Sequence, residues 1–150
     1  MDTLYLEDIP VGAVFGADHH LVTAEDICDF AAQWDPQVFH MDADAAMGTF
    51  FEGLAASGWH TAAMTMRLLV TGEFQPVGGI IGGGVEDLRW HRPVRPGDVL
   101  TIRTEILETR PMKSRPGFGI CRIRVTTLDV DGQPVQSFTS PLVVPRRPAP

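Results

Sequence analysis

The sequence predicts an α+β fold, a curved antiparallel β-sheet wrapped around one long central helix. Two observations carry this expectation. From Gly58 to about Thr71 the chain is apolar on nearly every side, with Arg67 its only fully charged residue, and such a helix is normally buried on most faces. Downstream of it, apolar and polar positions largely alternate between turn signals, the pattern of strands. A helix followed by a run of antiparallel strands is an α+β arrangement. With 150 residues, the chain is expected to form one domain over 1–150 with a real core.

In chain order, residues 4–12 close on the turn signal Ile9-Pro10-Val11-Gly12, and Val14 to Val22 reads as a strand. His19 and His20 within it point to opposite faces, poor geometry for a shared metal, and read as structural or surface residues. Thr23 with Asp26 three residues on resembles a capping arrangement and opens a helix from about Ala24 to Gln33. Ile27, Phe30, Ala31 and Trp34 give that helix one apolar face. Pro36 disfavours helical backbone at Asp35, so the chain is expected to leave the helix and bend there. Asp42 to Met47 reads as a short helix with an acidic first turn, ended by Gly48. Residues 49–56 read as a loop, and Ser57 as the N-cap of the apolar helix. At about 21 Å that helix is too short to cross a bilayer.

Ile80-Ile81 and Val85 to Trp90 form the first downstream strand region, ended by Pro93. Arg95-Pro96-Gly97-Asp98 is a turn, and Val99 to Leu107 a strand. Residues 110–117 read as a basic connecting loop, and Ile120 to Val130 as a strand turned at Asp131-Gly132. Val135 to Val144 is the last strand, before a Pro/Arg tail at about 146–150 that is expected to be frayed.

Composition narrows the function. A net charge of −7 argues against nucleic acid, because phosphate binding needs a basic surface. No run of about 20 apolar residues offers a membrane span. The start Met1-Asp2-Thr3-Leu4-Tyr5 lacks the pattern of a secretory leader, so a cytoplasmic protein with no membrane partner is expected. Cys28 and Cys121 form no metal-spaced set and read as buried thiols in a reducing compartment. Neither His-Glu-x-x-His nor Cys-x-x-Cys occurs, so no metal is expected. Gly78, Gly79, Gly82, Gly83 and Gly84 precede no Gly-Lys-Ser/Thr, and read as places where a strand bends or approaches the helix. The Gly-x-Ser-x-Gly elbow is missing around Ser57, which therefore reads as a cap rather than a nucleophile.

The stretch that carries chemistry runs from Gln33 to Thr61. On a continuous helix Asp35 and His40 would stand about 500° apart and diverge. In a bend, both polar groups can converge on one point. A carboxylate and an imidazole that share one water form an acid–base pair. The start of the apolar helix offers unpaired N–H groups that favour negative charge, and Gly58 has no side chain to block a carbonyl oxygen from its N–H. The structural alternative is that Asp35 caps the following turn and His40 is a satisfied core imidazole. His60, one turn into the helix, reads as packing beneath the sheet. Arg89, Arg92, Arg95, Lys113 and Arg115 lie nearest the β turns and could meet phosphates. Each also reads as an ordinary solvated charge, and none is assigned.

Asp35-Pro36-Gln37-Val38-Phe39-His40-Met41-Asp42, together with Gly53-Leu54-Ala55-Ala56-Ser57-Gly58-Trp59-His60 and Arg92-Pro93-Val94-Arg95-Pro96-Gly97-Asp98, resembles the MaoC-like acyl dehydratases. That family includes the (R)-specific enoyl-CoA hydratases and has the hot dog fold. The resemblance spans about residues 6–145. Its signature is an Asp and a His five apart around a Pro. Better-characterised members carry Asp-x-Asn-Pro-x-His, and His-Gly where this chain has Ser57-Gly58.

The resemblance implies a hydratase or dehydratase that adds or removes water across an α,β-unsaturated acyl thioester. Asp35 and His40 would be its acid–base pair and Gly58 its backbone oxyanion donor. It implies no cofactor beyond the thioester carrier, coenzyme A or phosphopantetheine. Hot dog domains usually pair edge to edge, so a homodimer or higher homo-oligomer is expected. A thioesterase on the same fold and a non-catalytic acyl-thioester binding subunit are the alternatives, and the Asp–His pair favours the lyase.

Overall fold

An antiparallel sheet of six strands organises the structure, a computed structural model that describes residues 2–150. β1 (Val14–Phe15) and β2 (His20–Leu21) both pair with β4 (Val99–Pro111). β4 pairs with β5 (Phe118–Leu128), β5 with β6 (Pro134–Pro145), and β6 with β3 (Glu86–Trp90) at the far edge. The long strands bury alternate residues, as expected of a sheet with one covered face. Leu100, Ile102 and Ile106 of β4 are buried, with Cys121, Ile123 and Val125 of β5 and Phe138, Leu142 and Val144 of β6.

Four helices precede or cover these strands. Thr23 caps α1 (Ala24–Trp34), its Oγ1 accepting the Asp26 N–H at 3.1 Å. The short helix expected from Asp42 to Met47 is α3 (Ala43–Ala46), with Asp42 and Met47 as its caps, and a further helix, α2 (Val38–Met41), precedes it. Asp42 separates them because its carboxylate accepts the N–H groups of Asp44 and Ala45 and so starts a new helix. α4 (Gly58–Thr71) follows the loop and packs on the sheet through Thr61, Met64, Thr65, Leu68 and Leu69.

The expectation that α4 is buried on most faces is corrected. The sheet is open rather than closed into a barrel, so it covers one side of the helix, and Trp59, Met66 and Val70 remain exposed. The strand expected across Val14 to Val22 is split in two. Between its halves Gly16 donates to the Glu73 carboxylate and Thr101 Oγ1 donates to the carbonyls of Ala17 and Asp18, so this backbone leaves the ladder. β4 runs to Pro111, into the stretch expected as loop.

β3 shifts register between Glu86 and Arg89, where Asp87 takes a positive φ of 53°, the signature of a bulge that bends an edge strand. The tail expected to fray is tied at its start. Arg146 and Arg147 reach Glu7 and Asp8 of the N-terminal 3₁₀ turn, and Arg147 stacks on Tyr5. Cys121 is buried, and burial pushes its thiol up to about 11, whereas Cys28 is only half-buried and donates to the Met41 carbonyl. Among the described residues no helix is long and apolar enough to cross a membrane.

Candidate active site

α1 stops where Pro36 forbids it to continue. Asp35 adopts φ −155° and ψ 67°, outside the helical region, while its N–H still closes the last turn on Ala31. Gln37 is the extended residue that starts α2, and His40 lies on that helix. The bend turns the two side chains toward each other, and Asp35 Oδ2 stands 3.3 Å from His40 Nε2.

Each partner is held by further bonds. His40 is buried, and its Nδ1 lies 2.6 Å from the Ala55 carbonyl oxygen. A carbonyl only accepts, so Nδ1 carries a hydrogen, and Nε2 is the nitrogen that faces Asp35. Asp35 Oδ1 accepts Gln37 Nε2 at 2.7 Å, and Oδ2 accepts the Ser57 hydroxyl at 2.8 Å. Burial pushes the Asp35 carboxyl up, but the Gln37 and Ser57 hydrogen bonds and the nearby His40 charge outweigh it. The net result is a carboxyl below its ordinary value, hence an ionised acceptor at neutral pH.

Ser57 corrects an expectation. It occupies the N-cap position of α4, yet its side chain caps nothing, because its hydroxyl is committed to Asp35. The first N–H groups of α4 therefore have no side-chain acceptor among the described residues. The structure adds a second reason for glycine at 58. A Cβ there would fall 2.5 Å from Cε2 of Trp90, so the space a side chain would take is filled by the indole.

His40, Gly58 and Trp90 line one cavity of about 620 Å³, together with Gln37, Phe39 and Phe51. The loop carrying Phe50 and Phe51 is fixed by Arg95, whose guanidinium donates to the carbonyls of Phe51 and Leu54. Phe50 is 93% exposed, an apolar side chain left in water beside the cavity that it lines.

Other basic residues near the turns have internal partners. Arg92 pairs with Asp98 and Asp129, Arg89 with Asp87, and Arg115 lies over Phe118. His60 packs away from this cavity, stacked on Phe30 at 4.7 Å, with a buried Nδ1 that has no partner among the described residues.

The sequence pointed to Asp35, His40 and Gly58 as one group, gave Ser57 and Arg95 other roles, a cap and an unassigned charge, and did not single out Gln37 or Trp90. For Ser57 the available signal was its place beside Gly58 in the small-residue run. For Gln37 it was the Asp-Pro-Gln spacing, which returns the side chain two residues on to the carboxylate.

A six-stranded antiparallel sheet with a helix packed on one face is the hot dog fold. The chain belongs to the MaoC-like domain family, whose model matches residues 10–127. It is 31% identical to the uncharacterized protein YdeM of Bacillus subtilis (strain 168) over 112 residues, 75% of this chain and 79% of that protein. The MaoC-like dehydratase from Rhodospirillum rubrum superposes with a TM-score of 0.92 at 50% identity, over 97% of this chain and 99% of that one. The R-hydratase PhaJ1 from Pseudomonas aeruginosa superposes with a TM-score of 0.78 at 25% identity, covering 97% and 88% of the two chains.

Proposed function

We propose that this protein is a lyase that adds or removes water across the double bond of an α,β-unsaturated acyl thioester. The observation that carries the proposal is the 3.3 Å approach of Asp35 Oδ2 to His40 Nε2, beside a cavity that His40 lines. The likeness to a MaoC-like dehydratase and to an R-hydratase supports the same chemistry.

In hydration, a water bound by both side chains loses a proton to the pair as its oxygen bonds to Cβ. The electron pair of the double bond moves through Cα to the thioester oxygen, giving an enolate. The pair then returns a proton to Cα, so the net change is the addition of one water. Gln37 and Ser57 keep Asp35 an acceptor throughout. The uncapped start of α4, with the Gly58 N–H as donor, opposes the negative charge on the thioester oxygen.

The acyl group is presented on coenzyme A or a phosphopantetheine arm, and the protein itself needs no further cofactor. It works in the cytoplasm, where Cys28 and Cys121 stay reduced. The exposed apolar strip Trp59, Met66 and Val70 and the open β3 edge support a homodimer, which light scattering would distinguish from the 16.4 kDa monomer.

Incubation with a trans-enoyl-CoA tests the reaction. Loss of the conjugated-thioester absorbance without release of free thiol is expected. Thiol release at the rate of substrate loss would make the protein a thioesterase, and tight binding with neither signal would make it a binding subunit.

A further inference from the structure

Two cavities flank one buried polar ladder. The cavity that holds His40 ends on α4 at Gly58 and Thr61 and on the sheet at Trp90. A second, apolar cavity of about 250 Å³ lies against Met66 and Leu69 of α4 and Phe138 and Leu142 of β6. Between the two sets, on both elements, sit the members of the ladder. Thr65 follows Thr61 by one turn of α4, and Gln136 precedes Phe138 on β6, opposite Trp90 on β3.

The ladder has no loose member. Trp90 Nε1 donates to Gln136 Oε1 at 2.9 Å, Gln136 Nε2 donates to Thr65 Oγ1 at 3.1 Å, and Thr65 and Thr127 share a bond of 2.7 Å. Gln136, Thr65 and Thr127 are fully buried. The indole is flanked on two further sides, by the bare Cα of Gly58 and by Trp59, whose ring is T-shaped to it at 5.5 Å between centroids. Trp90 keeps one side in solvent, 45% exposed, but moving its indole would take the donor from the buried Gln136 Oε1, so the partition resists displacement.

We infer that Trp90 is a specificity-determining residue, closing the His40 cavity from the apolar cavity beyond it so that only short acyl chains fit. The inference rests on the acyl-thioester reading of the site. An acyl tail bound with its thioester at the start of α4 and running along the helix would meet Trp90 and the Gln136–Thr65 bond before it reached Met66. Removing the indole deepens the His40 cavity along α4 and takes away the donor that holds Gln136 Oε1, so the Gln136 amide can turn aside and let a longer tail reach the apolar lining at Met66.

The test compares wild type, Trp90→Ala and Trp90→Phe with crotonyl-, hexenoyl-, octenoyl- and decenoyl-CoA, and titrates the same proteins calorimetrically with saturated butyryl- and decanoyl-CoA. Wild type should favour the short substrates. Trp90→Ala should raise the ratio of decenoyl to crotonyl kcat/KM by at least about tenfold, the scale of one methylene in an apolar pocket. Trp90→Phe, which keeps a ring on Gly58 and loses the donor to Gln136, should fall between them and guards against a misfolded alanine variant. A wild type indifferent to chain length, or the same profile in a folded Trp90→Phe or Trp90→Ala protein, would overturn the inference while leaving the lyase intact. Absence of turnover on every enoyl thioester, with the butyryl-over-decanoyl preference still reversed by Trp90→Ala, would sink the lyase and keep the partition.

Discussion

The Ser57 hydroxyl donates to Asp35 Oδ2 at 2.8 Å, the same oxygen that stands 3.3 Å from His40 Nε2. One atom thus links the start of α4 to the acid–base pair, across 22 residues of chain. The serine spends its hydroxyl on the carboxylate and leaves the helix N–H groups free. Both halves of the proposed site, proton transfer and oxyanion binding, depend on that choice.

Ser57→Ala should lower kcat by up to roughly 10²-fold with KM nearly unchanged, because a misaimed carboxylate costs rate rather than binding. Ser57→Thr keeps a hydroxyl and should recover much of the loss. The alanine variant should also move the acid limb of the rate profile to higher pH, since the donor helps hold the Asp35 carboxyl below its ordinary value. The stability sign is consistent. A carboxyl depressed in the folded state stabilises it above the unfolded value, near 3.8, and that contribution is lost as pH falls through the folded value. An unmoved acid limb in Ser57→Ala would contradict the role given to the hydroxyl.

Gly58 and Trp90 should prove energetically coupled. A Cβ at 58 would stand 2.5 Å from the indole, so Gly58→Ala should cost about 1–3 kcal/mol by overpacking. In a Trp90→Ala background the same substitution should cost markedly less. Urea unfolding of the four proteins in the cycle measures the coupling, and strict additivity would show that the indole does not require the glycine.

His60 should make the fold acid-sensitive. Burial lowers its pKa, Asp26 opposes this, and His20 adds to it. A histidine depressed in the folded state stays neutral there while the unfolded chain takes up a proton. Its contribution is therefore complete above the unfolded value of 6.5 and is lost as pH falls from there toward the folded value. Because its buried Nδ1 has no partner among the described residues, His60→Leu should stabilise the protein by about 1 kcal/mol and flatten the loss between neutral and mildly acidic pH. Unfolding midpoints at both pH values decide it.

Much of this was legible in local pattern. Pro36 announced the bend that joins Asp35 to His40, and apolar spacing announced α4 from Gly58 to Thr71 with the bounds observed. What was not legible depends on partners distant in sequence. The strand at Val14 to Val22 breaks because Glu73 and Thr101 capture its middle, and neither is near it in the chain. Ser57 looked like a cap because residue type and position suited one, and only the folded arrangement brings a carboxylate 22 residues away to compete for the hydroxyl. Gly58 was read only as leaving its N–H unblocked, and only the fold shows that Trp90 of the edge strand takes the place of a side chain there. An exposed stripe on α4 could not be foreseen either, since apolar spacing does not say how many sides of a helix the sheet will cover.

The central claim is that Asp35 and His40 act as one acid–base unit. It is tested most directly by measuring hydration of crotonyl-CoA and melting temperature on the same preparations of Asp35→Asn, His40→Gln and the double variant. Each single substitution should cut kcat by roughly 10²–10⁴, the usual worth of a positioned acid or base. The double variant should be hardly slower than the poorer single one, because groups acting as a unit are not additive. Full activity in a folded Asp35→Asn or His40→Gln protein would contradict the claim.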